Sequence, residues 1–245
     1  MNDIKVAVIM PLSGCNMFCN FCVTDDDFDC VSFEQAVSML KYVGELGIKN
    51  VVFGGGEPFF WPHNIIRLCE KAKELGFIVQ TGTNATKLPQ GYEKLPCIDR
   101  FVIPVESADE KIHNSMRFFP NGHYSVVMDC LKRLRAKAKA VTVSTVVTNS
   151  NIAGLEGLAD FLRGYDDGHI HAWHLYRFIP KGRGGLMNAA ELAPAFDAYA
   201  SACENIKAMD LPFHVFKRAD MYNSKTVEFF RMEKGIIRTS AEFSK

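Results

Sequence analysis

No stretch of this sequence approaches the ~20 consecutive apolar residues of a membrane span. The opening MNDIKVAVIM lacks the charged, apolar and small-residue order of a secretory leader, so a cytoplasmic protein with no membrane partner is expected. Neither charge is in excess: 28 Lys and Arg offset 28 Asp and Glu. No global field therefore recruits nucleic acid, and a charged partner has to be caught locally. The basic segment CLKRLRAKAKA (130–140) lacks the interleaved aromatics of an RNA-binding surface and reads as a solvated helix face. The acidic run at 25–29 reads as a solvated or lid segment. Low-complexity linkers are missing too, and 245 residues at 48% hydrophobic content can bury a core as one domain. Cysteine is what the chain has in quantity, with eight. In a reducing compartment these do not suggest a disulfide framework, and a tight cluster points to metal or catalysis. Cys69, Cys97, Cys130 and Cys203 are scattered and read as small buried hydrophobes. The other four crowd into PLSGCNMFCNFCVTDDDFDC, residues 11–30.

Short β-rich runs alternate with longer amphipathic stretches, the signature of βα units around a parallel sheet. Strands are expected at 4–12, NVVFGG (50–55), 77–82, 99–107, 140–148 and 169–180, with Pro104 as a weak point in the fourth. Ser32 with Gln35 predicts a capping box opening a helix that Gly47 stops, and Gly76 stops the next helix. These six units predict an α/β fold, a partial (β/α)6 TIM-type barrel. Residues 1–185 form its core, and 186–245 form a C-terminal helix and extension completing the same domain. The tail holds a strand-like run and a hairpin signal at Glu233-Lys234-Gly235 that the pattern does not place. In such folds functional groups gather where strands end. The cysteine run lies just after the first strand.

Cys15, Cys19 and Cys22 share the i, i+4, i+7 spacing of a helical face, but Pro11, Ser13, Gly14, Asn16 and Asn20 make a loop. Convergent thiols on a loop read as a metal site. A closed zinc or iron–sulfur site needs a fourth ligand, for which Cys30 or the acidic run are the candidates. Three thiolates alone would leave one iron of a four-iron cluster open. The C-x3-C-x2-C loop, with an aromatic residue before its last cysteine, resembles the cluster loop of the radical S-adenosylmethionine (SAM) superfamily. The resemblance implies a [4Fe–4S] cluster on Cys15, Cys19 and Cys22 and SAM chelating the open iron. It also implies reductive cleavage to a 5′-deoxyadenosyl radical that abstracts substrate hydrogen, oxygen sensitivity, and a flavodoxin or ferredoxin as electron donor.

Other strand ends fit the same family. Gly55, Gly56, Glu57 and Pro58 are similar to its GGEP motif, which implies binding of the SAM amino group, and Thr83-Asn84 resembles its strand-three ending. VESADEKIHNSMR is similar to its strand-four ending, which implies Glu106 and Ser107 at the ribose and Arg117 at the methionine carboxylate. Ser144 and Asn149 lie near the same rim as further cofactor candidates, and Phe21 is expected beside adenine. Pro180-x-Gly182-x-Gly184 resembles the strand-six turn, where backbone atoms contact adenine. Tyr176, Lys181 and Arg183 are expected to bind substrate, the last two as a clamp for phosphate or carboxylate. His169, His171 and His174 read as structural histidines. Only Cys203 follows residue 130, so an auxiliary cluster is not expected. The favoured substrate is a small anion, a nucleotide if the chain follows the viperin-like branch. Peptide or cofactor maturation, glycyl-radical activation, and a non-catalytic Fe–S or zinc module using Cys30 are the alternatives.

Overall fold

The computed structural model describes residues 4–243; the first three residues, part of the opening stretch read above for a leader pattern, and the last two lie outside the described residues. In chain order the elements begin with β1 (Val6–Ile9), β2 (Phe18–Cys19), α1 (Phe33–Glu45), β3 (Asn50–Phe53), α2 (Ile65–Glu74), β4 (Ile78–Gly82) and β5 (Arg100–Pro104). Next come α3 (Glu110–Met116), β6 (Arg117–Phe118), α4 (Tyr124–Arg135), β7 (Ala140–Val147), α5 (Leu155–Tyr165) and β8 (Ile170–Arg177). The chain ends with α6 (Gly182–Gly185), α7 (Ala189–Leu192), α8 (Phe196–Ala208), β9 (His214–Arg218), β10 (Val227–Glu233), β11 (Ile236–Thr239) and α9 (Ser240–Phe243). The class is α/β, and each of the six expected strands is present. Pro104 closes β5 rather than interrupting it, so no ladder donor is lost mid-strand.

Contacts divide the chain into two compact units, one of Met1–Asn16, Asp25–Phe101 and Met221–Lys245, the other of Met17–Thr24 and Val102–Asp220. The first unit orders its strands β11-β10-β1-β3-β4, with β1 parallel to both β10 and β3, and β10–β11 an antiparallel hairpin. Lys234 and Gly235 turn that hairpin with φ of 52° and 77°, the left-handed pair a two-residue hairpin turn requires. In α1, Ser32 and Gln35 form the expected capping box, and Ala36, Met39, Leu40 and Val43 supply the buried stripe.

In the second unit β7, β8 and β9 are parallel neighbours, with β5 beside β7. Trp173 is fully buried and donates its indole N–H to Thr145 Oγ1 at 2.9 Å. The strand-like run in the tail is β9, which extends the parallel set beyond β8. A two-stranded ribbon that the periodicity did not announce pairs Phe18 with Phe118 and Cys19 with Arg117. Two residues per strand are too few to leave a pattern.

Asp26 and Asp27 of the acidic run are exposed, as a solvated segment would be, but the run is tied down rather than loose. Arg231 on β10, 5% exposed, meets Asp25 at 3.2 Å, Asp27 at 3.7 Å and Glu233 at 2.5 Å, and its guanidinium lies over the Phe28 ring at 5.4 Å. Asp29 accepts the Gly235 N–H and donates its own N–H to Met232 O. The cation that docks the run lies 206 residues along the chain, out of reach of any local reading. Arg231→Met should release the run: hydrogen exchange at 25–29 rises and unfolding free energy falls by about 1–3 kcal/mol, as for a buried polar network broken at one partner.

Candidate active site

In the first unit the turn after β3 is threaded against the segment that precedes the first cysteine. Gly56 N donates to Leu12 O and Glu57 N to Gly14 O, each at 3.0 Å. A Cβ on Gly56 would meet Gly14 O at 1.8 Å, and Gly55 holds φ 100° with Leu12 O at 2.6 Å from its ideal Cβ. The two glycines are thus required by backbone contact with residues 12–14. Glu57 is 1% exposed, and its carboxylate accepts the Thr83 hydroxyl at 2.8 Å, Phe59 N at 3.0 Å and Asn84 N at 2.6 Å. Pro58 follows at the start of a short 3-10 turn. Asn84 directs its amide to Cys15 Sγ at 3.6 Å and to Asn16 Oδ1 at 3.1 Å. Cys15, Gly55, Gly56, Glu57, Pro58, Thr83 and Asn84 therefore belong to one connected cluster.

The second unit gathers Cys19, Phe21, Cys22, Glu106 and Arg117. Glu106, at the end of β5, is fully buried; its Oε1 accepts Arg117 Nε at 2.8 Å and Nη2 at 2.7 Å, and its Oε2 accepts Val146 N at 2.8 Å. Arg117 Nη1 reaches Cys19 Sγ at 3.5 Å, and the guanidinium lies over the Phe21 ring at 5.0 Å. Burial pushes the Glu106 carboxyl above the usual range, with Arg117 opposing. Burial likewise works against the Arg117 charge, but Glu106 and, after it, Cys19 raise its pKa on balance. Phe21 is 6% exposed and packs with Met116, Phe178 and Leu192.

Behind this pair sit groups that the sequence patterns did not single out. Glu106 N–H donates to His113 Nδ1 at 3.2 Å, which leaves the neutral ring's proton on Nε2, donated to His123 Nδ1 at 2.9 Å. Burial, then Arg117 and His123, push His113 down to about 2. Asn151, 1% exposed, donates to Glu106 O at 2.8 Å and Val146 O at 3.0 Å. An Asn two residues beyond the expected Asn149 is the one signal that pointed near it.

The turn after β8 lies against the cysteine loop through backbone. Gly184 and Gly185 both donate N–H to Cys22 O at 3.1 Å, and Arg183 N donates to Thr24 O at 3.2 Å. A Cβ on Gly184 would meet Cys19 O at 2.2 Å. This puts Lys181, exposed, and Arg183, half-buried, on a turn fixed to the loop. Tyr176 is half-buried on the opposite face of β8 from Trp173, and Ser144 shares that face on β7. Asn149 is committed elsewhere, donating to Glu191 O at 2.8 Å and Ala193 O at 3.2 Å. Ser107 accepts Asp109 N at 3.0 Å in the turn leading into α3.

Three half-buried cysteines, none in a disulfide, are suited by chemistry to an iron–sulfur cluster, and N–H donors already face two of their sulfurs. Cys30 is exposed, and the carboxylates of Asp25, Asp27 and Asp29 face β10 and its hairpin. Among the described residues, no helix is long and apolar enough to cross a membrane.

A family model described as "Radical SAM superfamily" matches residues 9–162. The 7-carboxy-7-deazaguanine synthase of Rickettsia prowazekii (strain Madrid E) is 36% identical over 97 residues, 37% of this chain and 38% of that protein. The S-adenosylmethionine-dependent nucleotide dehydratase of Flammeovirga pacifica is 27% identical over 182 residues, 68% of this chain and 60% of that protein. The structure of Streptococcus suis SuiB bound to S-adenosylmethionine aligns with TM-score 0.74 and 16% identity, covering 96% of this chain and 60% of that one. The matched region thus spans less than two thirds of each of these proteins.

Two tests address the buried network. Glu106→Gln leaves the Arg117 charge unpaired and should cost about 3–5 kcal/mol in denaturant unfolding. His113 cannot take up a proton in the folded chain, whereas its unfolded counterpart protonates below about 6.5, so its contribution is complete above that pH and is lost as pH falls toward 2. Unfolding free energy should drop by about 2 kcal/mol between pH 6.5 and 5 from this group alone; a flat profile would contradict the buried neutral imidazole.

Proposed function

Since the chain belongs to the radical SAM superfamily, we propose that it uses a [4Fe–4S] cluster on Cys15, Cys19 and Cys22 to act on a small anionic substrate of the nucleotide class. When bound, the cluster and SAM supply reductive cleavage of the sulfonium and a 5′-deoxyadenosyl radical that removes substrate hydrogen. The protein's part is to bind, orient and exclude water.

The observation that carries this reading is the pair of N–H donors on cysteine sulfur, Asn84 to Cys15 and Arg117 to Cys19, in a loop of three half-buried thiols. Such donors stabilise thiolate and help set a cluster's potential. Gly55, Gly56, Glu57 and Pro58 are read as the binding turn for the SAM amino group. With the Glu57 carboxylate already engaged by Thr83, Asn84 and Phe59, its contribution is to hold that turn. Ser107 is read as the ribose side, with Ser144 as a further cofactor candidate, Arg117 as the carboxylate side and Phe21 as the adenine wall; Glu106, whose oxygens are engaged by Arg117 and Val146, holds Arg117 in place. The substrate assignment is supported by Tyr176, Lys181 and Arg183 at the end of β8. It is also supported by the two curated relatives, whose names describe a deazaguanine synthase and a nucleotide dehydratase. A flavodoxin or ferredoxin would supply the electron.

Anaerobic reconstitution, dithionite reduction and chromatography for 5′-deoxyadenosine test the reading. Formation of 5′-deoxyadenosine, faster with added nucleoside triphosphates than with peptides, is the expected outcome. Cys19→Ala should lose cluster iron and Cys30→Ala should keep it. No 5′-deoxyadenosine, or iron that depends on Cys30, overturns the proposal.

A further inference from the structure

β8 and β9 end side by side, with Tyr176 opposite Arg218 and His174 opposite Phe216. Trp173 and Leu175 are fully buried on the other face, where the Arg177 guanidinium lies over the Phe196 ring of α8 at 5.3 Å. His174, Tyr176, Phe216 and Arg218 therefore share the face turned away from that helix. There they form one connected set. His174 Nδ1 lies 3.2 Å from the Tyr176 hydroxyl, Arg218 Nη2 lies 3.5 Å from His174 Nε2, and the Arg218 guanidinium covers the Phe216 ring at 5.0 Å.

A guanidinium only donates, so His174 accepts on Nε2 and carries its proton on Nδ1, directed to the Tyr176 oxygen. The phenolic proton of Tyr176 is then available to a third group. Arg218 is half-buried, and among the described residues its contacts are an imidazole and a ring, with no carboxylate within ion-pair distance. A sheltered cation without a counter-ion, beside a hydroxyl with a proton to give, is the donor set for an oxyanion. Its place at the carboxyl ends of parallel strands is where α/β folds bind ligands.

We propose that Arg218 and Tyr176, with His174 as the positioning residue between them, form the subsite for the anionic group of the substrate, a phosphate or a carboxylate. The proposal rests on the reading of the substrate as a small anion. It moves the charge recognition from the turn at Lys181 and Arg183 to the sheet.

Isothermal titration of the cluster-loaded protein tests this, with inorganic pyrophosphate in one arm and benzoate in the other to separate phosphate from carboxylate. At least one probe should bind. Arg218→Met should weaken it about tenfold or more, Arg218→Lys less, and Tyr176→Phe a few-fold. If Arg218→Met does not fold, as judged by near-ultraviolet circular dichroism, Arg218→Lys and Tyr176→Phe carry the test. Binding of neither probe, or unchanged affinity in these variants, overturns the subsite, as does loss of binding in Lys181→Met with none at Arg218. Absence of 5′-deoxyadenosine from the unmodified protein, with probe binding intact, would sink the radical chemistry and leave the subsite standing.

Discussion

A carboxylate with no exposed surface, Glu106, joins four segments of the second unit. Its oxygens hold Arg117 and the Val146 amide, its own amide is held by His113, and its carbonyl is held by Asn151. The end of β5, the helix α3, the ribbon and the end of β7 are thereby tied at one residue. A buried charge is costly unless paired and fully bonded, and each neighbour is accounted for by that demand. Arg117 answers the charge, and His113 stays neutral because burial and the neighbouring Arg117 both disfavour a second cation.

Glu57 does the same for the first unit on a smaller scale, drawing Thr83 and Asn84 from the end of β4 toward the turn after β3. In each unit a sheltered carboxylate spends its lone pairs on the protein, and the group it fixes extends a nitrogen to a cysteine sulfur. Such second contacts orient ligands before anything is bound, so less reorganisation remains at the moment of reaction.

The parts of this arrangement that the sequence disclosed are local ones. Three cysteines in a loop that cannot be a helix, a glycine-glycine-glutamate-proline turn after a strand, and a capped α1 are each read within a dozen residues. The partner of Glu106 was within reach as well, eleven residues on, but only as an isolated candidate ligand, because spacing does not say that a helix folds Arg117 back onto the carboxylate. His123 carried no pattern, and Asn151 only its nearness to Asn149. Arg231 and Arg218 were hidden for a different reason: each acts from a strand in the tail, whose position beside β1 or beside β8 depends on pairings between distant segments. Asn149 shows the converse, a rim residue of suitable type whose amide is taken by the backbone at 191–193.

The glycines after β8 bear no functional group, yet Gly184 has the Cys19 carbonyl and the Cys22 amide where a side chain would go. A change to any larger residue there would damage the chain in disguise. The lesion would arise in a turn distant in sequence from Cys15, Cys19 and Cys22. With the cluster on the loop as proposed, what it would lack is colour: a pale, iron-poor preparation in which Cys15, Cys19 and Cys22 are all intact.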